Sequence, residues 1–181
     1  MKQALILVDI QNDYFPEGSM ELVQMDKAAQ NAQLMLEYFR KMQLPVFHVQ
    51  HISMGPNATF FRPDTDGVKT HDSVAPLAGE AIITKHFPNA FRETELSDKL
   101  NGLNLKEIVI CGAMSHMCID ATTRAGFDLG YQCTVISDAC TTRDLEFKGV
   151  KIEAQMVHAS FMAALSSPYA KVISVNEFMS Q

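Results

Sequence analysis

The sequence lacks the features that would tie it to a membrane, a nucleic acid or a nucleotide. No apolar run is long enough to cross a bilayer. The stretch Met1–Asp9 is too short for a signal peptide, ends on a carboxylate and offers no small-residue cleavage site. Basic residues number 15 against 21 acidic ones, for a formal charge of -6, which disfavours an electrostatic grip on nucleic acid or anionic lipid. Gly126 and Gly130 do not form a G-x-G-x-x-G fingerprint, and no G-x-x-x-x-G-K-[ST] loop occurs, so no motif supports a nucleotide cofactor. There is no C-x-x-C pair either: Cys111, Cys118, Cys133 and Cys140 are spaced as free thiols, not as zinc ligands. A cytoplasmic, reducing location is the expectation. Internal repeats, low-complexity tracts and linker-like shifts are missing too.

What is present is an ordinary globular composition. The chain has 181 residues, 47% of them hydrophobic, enough to bury roughly 70% of its unfolded surface without a disulfide or metal. It reads as one domain over residues 1–181. Short aliphatic or β-branched runs alternate with helical stretches, the pattern of a parallel sheet covered on both faces. Strands are expected at Ala4–Ile10, Val46–His51, Ala81–Thr84, Glu107–Cys111, Gln132–Ser137 and Lys171–Val175. Asp26 could cap a helix whose apolar positions Ala28, Ala32, Met35, Leu36 and Phe39 share one face, and Pro45 stops it. Further helices are expected near Thr94–Leu100, Met117–Leu129 and Leu145–Leu165. The long segment Ile52–Gly79, rich in Gly, Pro, Asn and Asp, is expected to form part of a pocket wall. The fold class is therefore α/β, a doubly wound, Rossmann-like, mainly parallel six-stranded sheet.

Such sheets gather their chemistry at the carboxyl ends of the strands. Asp9 ends the first strand, Lys85 follows the third and Gly112–Cys118 follows the fourth, so an acid, an amine and a thiol are expected at one edge. A cysteine at a helix start is favoured as thiolate, a nearby carboxylate can take and return its proton, and an ammonium can offset the charge of attack. Each residue has a plainer reading. Asp9 could cap a loop, Lys85 could be a solvated charge, and Cys118 could be a small hydrophobe. Cys140 is a rival nucleophile, while Cys111 and Cys133 read as core.

The runs Leu7-Val8-Asp9-Ile10-Gln11-Asn12-Asp13-Tyr14, Lys85-His86-Phe87-Pro88-Asn89-Ala90-Phe91 and Cys111-Gly112-Ala113-Met114-Ser115-His116-Met117-Cys118 resemble the isochorismatase-like cysteine hydrolases. The resemblance covers nearly the whole chain. It implies a catalytic triad of Asp9, Lys85 and Cys118, a cis peptide before Met114, and an oxyanion hole made by the backbone N–H groups of Met114 and Cys118. It places Tyr14 along the substrate pocket, and His116, beside the triad segment, could also touch substrate. Ser115 stands where threonine is usual and Asn89 where serine is common. Asp13 could orient Lys85 or the neighbouring loop, and His86 could support the site from behind.

One departure bears on cofactors. Nicotinamidases of this superfamily carry an Asp-x-His motif and a further histidine for a metal, whereas this chain reads His48-Val49-Gln50-His51-Ile52-Ser53-Met54-Gly55. Only His51 and the more distant His71 could be offered, so no metal and no other cofactor is expected. The expectation is a metal-independent cysteine hydrolase that cleaves an amide, ureido or related C–N bond in a small molecule. Vinyl-ether cleavage of the isochorismatase type, a noncatalytic thiol sensor and a flavodoxin-like binder are the alternatives. Homo-oligomerisation, as dimer or tetramer, is expected from the resemblance and from the apolar stripe of Leu145–Leu165, which intrachain packing explains equally well.

Overall fold

A computed structural model describes residues 3–181; Met1 and Lys2, part of the segment weighed above as a leader, lie outside the described residues. In chain order the elements are β1 Gln3–Val8, α1 Met25–Lys41, β2 Val46–His51, β3 Ala81–Lys85, α2 Leu96–Gly102, β4 Glu107–Ala113, α3 Asp120–Asp128, β5 Gln132–Thr141, β6 Leu145–Phe147, β7 Val150–Ile152, α4 Ala154–Leu165, β8 Ala170–Ile173 and α5 Val175–Met179. Six strands pair in parallel in the order β3-β2-β1-β4-β5-β8. Every residue of β1 is buried, as the unbroken run Ala4-Leu5-Ile6-Leu7-Val8 demands of a central strand covered on both faces.

The chain winds outward from β1 through β2 to β3, then returns to the other side of β1 as β4. Right-handed crossovers therefore put α1 on one face of the sheet and α3 on the other. α1 lays Met25, Ala28, Ala29, Ala32, Met35, Leu36 and Phe39 on the core, the expected stripe, but it starts one residue before Asp26. Gln24 in the left-handed conformation precedes it, and Asp26 lies in the first turn, where a carboxylate suits the helix dipole. α5 closes over the same side, with Phe178 against Tyr38 and Phe39.

Two expectations are corrected. The single helix expected over Leu145–Leu165 is an antiparallel hairpin followed by the shorter α4. Lys148 and Gly149 both take positive φ, 51° and 79°, which closes β6 onto β7 with a two-residue turn whose twist suits a hairpin. Leu145, Phe147, Val150 and Ile152 then alternate out of a ribbon rather than winding onto a helix face. Of the stripe, Val157, Met162 and Leu165 pack inward, whereas Met156 is exposed. Strand β5, expected to stop at Ser137, runs on to Thr141 through a register shift opposite Cys111 that sets Cys140 beside Gly112.

The reversal of strand order between β1 and β4 opens a crevice at their carboxyl ends. Gly112 sits there at φ +126°, and a Cβ on it would lie 2.0 Å from the Val8 carbonyl oxygen. Only glycine lets β4 leave the sheet this close to β1.

Candidate active site

Three strand ends converge on this crevice. Asp9 follows β1 directly, and its φ of 53° is a left-handed conformation that aspartate tolerates better than most residues. Lys85 is the last residue of β3 and Cys118 sits in a π-helical turn, Ser115–Ile119, between β4 and α3. Such turns recur at functional sites. Asp9 and Lys85 have no exposed surface and Cys118 has 4%. Lys85 Nζ lies 2.8 Å from Asp9 Oδ2 and 3.2 Å from Cys118 Sγ. The three side chains, distant in sequence, form one charge-balanced cluster.

Burial governs its electrostatics. It pushes the Cys118 thiol well above its ordinary range, and the Asp9 carboxylate adds to that effect against the opposing pull of Lys85. The helix-start argument for a resting thiolate is thus outweighed, because Cys118 stands ahead of α3 and is buried. Burial also works against the Lys85 ammonium, but Asp9 and Cys118 overcome it, so the amine is held charged. Neither Asp9 oxygen has a hydrogen-bond partner among the described residues, Oδ2 meeting Lys85 only as an ion pair, so the carboxylate keeps lone pairs to offer near the thiol.

The peptide bond before Met114 is cis, as the resemblance implies. The Ser115 hydroxyl donates to the Thr141 carbonyl at 3.1 Å and lies 2.8 Å from His158 Nδ1, tying the turn to β5 and α4.

Tyr14 is buried close to Asp9 and Cys118; burial first, then those two groups, pushes its phenol well up, so it stays a neutral donor. Its ring centroid lies 4.5 Å from that of Phe61 and 6.0 Å from that of Phe60, so the Ile52–Gly79 segment packs aromatic rings against it. His116 does not join this cluster: its Nδ1 lies 2.5 Å from Thr142 Oγ1 and its ring faces Phe161 of α4. His86 is tied through Nδ1 to the Ile52 carbonyl. Cys140 is buried in β5 with its thiol pushed up to about 12 by desolvation.

Asp13 holds the loop rather than Lys85. Its carboxylate accepts from the Phe61 amide at 2.6 Å and the Ser19 amide at 3.2 Å. Gly67 gives it room, since a Cβ there would lie 2.1 Å from Asp13 Oδ1. Gly67→Ala is expected to evict the carboxylate, strand both amides and lower stability by about 2 kcal/mol, read as a lowered thermal midpoint; an unchanged midpoint would refute the anchor.

Two further residues reach the site: Gln11, left without a role by the sequence, and His51, weighed there only as a metal ligand. Gln11 accepts from the His51 amide at 2.8 Å and donates to the His51 and Val68 carbonyls at 2.9 and 2.7 Å. His51 in turn lies 2.8 Å from Lys85 Nζ through its Nδ1. The only sequence signal for Gln11 is a polar side chain directly after an apolar strand, and its partners lie far along the chain.

Donor atoms of Asp9, His51 and Cys118 lie within 4.8 Å of one another, an oxygen, nitrogen and sulfur set that could suit a transition metal. The Lys85 ammonium already touches all three, so a metal ion would need the place of a buried cation. His71 is not part of the group: it caps the turn at Ser73 and stacks on Phe15. The residues do not fit a nicotinamidase-type metal site.

His51 is held neutral by burial and then by Lys85, its pKa lowered to about 4. The unfolded chain takes up that proton below about 6.5, so the stabilisation is complete above that pH and is lost as pH falls toward 4. After allowance for solvent reaching this half-buried ring, it amounts to on the order of 1–2 kcal/mol. The thermal midpoint is expected to fall between pH 6.5 and 4, and to fall less in His51→Asn; equal slopes would refute the assignment.

The sequence matches the isochorismatase domain over residues 3–177. It is 51% identical over 99% of both chains to the isochorismatase family protein YddQ of Bacillus subtilis, and 31% identical to the secreted isochorismatase effector Isc1 of Verticillium dahliae over 94% of this chain and 86% of that one. A crystal structure of an isochorismatase hydrolase from Oleispira antarctica superposes with a TM-score of 0.96 at 48% identity, covering 99% of this chain and 97% of that one. More distant relatives include streptothricin hydrolase of Streptomyces noursei, 29% identical over 79% of this chain and 51% of that protein, and nicotinamidase 3 of Arabidopsis thaliana, 23% identical over 87% and 80%. With its parallel sheet and its cluster of acid, amine and thiol at the strand ends, the chain belongs to the isochorismatase family of hydrolases.

Proposed function

We propose that the protein is a metal-independent cysteine amidohydrolase acting on an amide, ureido or related C–N bond of a small molecule. The observation that carries this reading is the single ammonium of Lys85 lying against both Asp9 and Cys118, all three buried. Asp9 takes the Cys118 proton and the sulfur attacks the substrate carbonyl. The Met114 and Cys118 amides receive the oxyanion. As the tetrahedral intermediate collapses, the C–N bond breaks and Asp9 returns the proton to the leaving amine. Water, losing a proton to Asp9, then cleaves the thioester to a carboxylic acid and restores the thiol. Lys85 keeps both anions of the cycle neutralised, and Tyr14 borders the substrate. The amidohydrolase names of the distant relatives support the bond type.

The test is incubation with a panel of small carboxamides and ureido compounds, with ammonia release followed beside intact-protein mass. A Cys118-linked acyl adduct with ammonia release is expected for at least one compound. Labelling of Cys118 by a soft electrophile with every candidate left intact would move the assignment to other chemistry on this fold.

We also infer that a second copy covers the outer side of β6–β7 and α4. Leu145, Phe147, Val150 and Ile152 share one face of the hairpin, with Phe147 66% and Val150 63% exposed. The neighbouring α4 carries no charged residue, although Met156, Ala159, Ser160 and Ala163 are exposed. A helix without a polar charged face is normally covered. Light scattering is expected to show a dimer or tetramer that Val150→Glu dissociates; a wild-type monomer would refute this.

A further inference from the structure

A buried lysine must place three N–H bonds, because an ammonium is all donor. Lys85 Nζ bonds Cys118 Sγ at 3.2 Å and Nδ1 of His51 at 2.8 Å, and its remaining charge faces Asp9 Oδ2 as an ion pair at 2.8 Å. The sheet register makes this contact, since His51 and Lys85 are paired at the carboxyl ends of β2 and β3. Lysine has nothing to accept with, so His51 Nδ1 must offer its lone pair and the ring proton must sit on Nε2. His51 is itself fixed, with Gln11 bonded to both its amide and its carbonyl and Phe61 ring to ring at 6.0 Å.

We propose that His51 is a positioning residue for the hydrolytic cluster: by accepting a Lys85 proton it holds the ammonium between Asp9 and Cys118, and Gln11 holds His51. Without that acceptor, one N–H of a fully buried cation is unpaired, and the lysine relieves it by turning away from the sulfur. The anion that forms on Cys118 then meets a weaker counter-charge and forms less readily. The neutral ring, with a pKa lowered to about 4, is in keeping with the acceptor role. The inference rests on Cys118 as the nucleophile, but it concerns the tautomer and reach of a different residue.

The test measures alkylation of Cys118 by iodoacetamide, by peptide mass spectrometry on the full chain, in wild type, His51→Leu and His51→Asn, with near-ultraviolet circular dichroism reporting the fold. His51→Leu, which keeps bulk but has no acceptor, is expected to slow alkylation by about tenfold or more. His51→Asn, whose Oδ1 can stand where Nδ1 stood, is expected to recover to within about threefold of wild type. A leucine variant as fast as wild type, or an asparagine variant as slow as leucine in an intact fold, would overturn the proposal. Nitrogen-15 NMR of histidine-labelled wild type supplies an arm that needs no variant: an unprotonated Nδ1 and protonated Nε2 at neutral pH are expected, and a protonated Nδ1 overturns the proposal. A wild-type Cys118 that takes no label counts against the nucleophile, while the tautomer still decides the role of His51.

Discussion

Cys118→Ala is expected to lower hydrolysis of any amide the wild type turns over by roughly ten-thousand-fold or more, as loss of a nucleophile that acts as one unit with its base does elsewhere. The fold should survive it. Removing one sulfur from a site packed by the Ser115–Ile119 turn leaves a small gap, and the Ser115 bonds that hold the turn remain in place. A thermal midpoint within a few degrees of wild type is therefore expected alongside the lost rate. Cys140→Ala is the paired control. Cys140 lies in the body of β5 beside Gly112, with its thiol pushed up to about 12 by burial, so its removal should leave turnover within a few-fold. Full activity in Cys118→Ala, or its loss in a folded Cys140→Ala, would reverse the assignment of the nucleophile.

Lys85→Met is expected to have the largest effect on stability. The substitution keeps much of the volume but strips the counter-charge from Asp9, whose carboxylate has no exposed surface. Breaking a buried ion pair from one side commonly costs about 3–5 kcal/mol, because the abandoned charge has neither partner nor water. Removing the second charge should recover most of that: Asp9→Asn combined with Lys85→Met is expected to unfold at higher denaturant than Lys85→Met alone. Neither variant should hydrolyse amides. The double-mutant cycle separates the pair from its surroundings. Additive single-variant losses would show that Lys85 and Asp9 do not act as a pair.

The two predictions depend on different kinds of information. Asp9, Lys85 and Cys118 were legible in the sequence because each stands next to an apolar run that reads as a parallel strand, and such strands end on one edge. Tyr14 came from the resemblance, which places it along the substrate pocket. The hairpin at Leu145–Ile152 was not read from the sequence, since strands of three residues are too short to show an alternation and the apolar stripe that begins at Ile152 drew the helix back over them. The positive φ values at Lys148 and Gly149 and the antiparallel pairing they close distinguish it from a helix. His116 was read from its place beside Cys118, but the π-helical turn faces it toward Thr142 and Phe161 instead.

By itself, then, the sequence determined the layered parallel sheet and the edge at which Asp9, Lys85 and Cys118 meet. Those features follow from local periodicity, from strand ends and from short motifs, all written over a few consecutive residues. The tertiary structure alone decided that His51 meets Lys85, that Gln11 brackets His51 and that Asp13 anchors Phe61. These contacts join residues 34 to 48 positions apart. They depend on the register of β2 against β3 and on the path of a long loop, which are set by packing of the whole domain and not by the identity of neighbours along the chain.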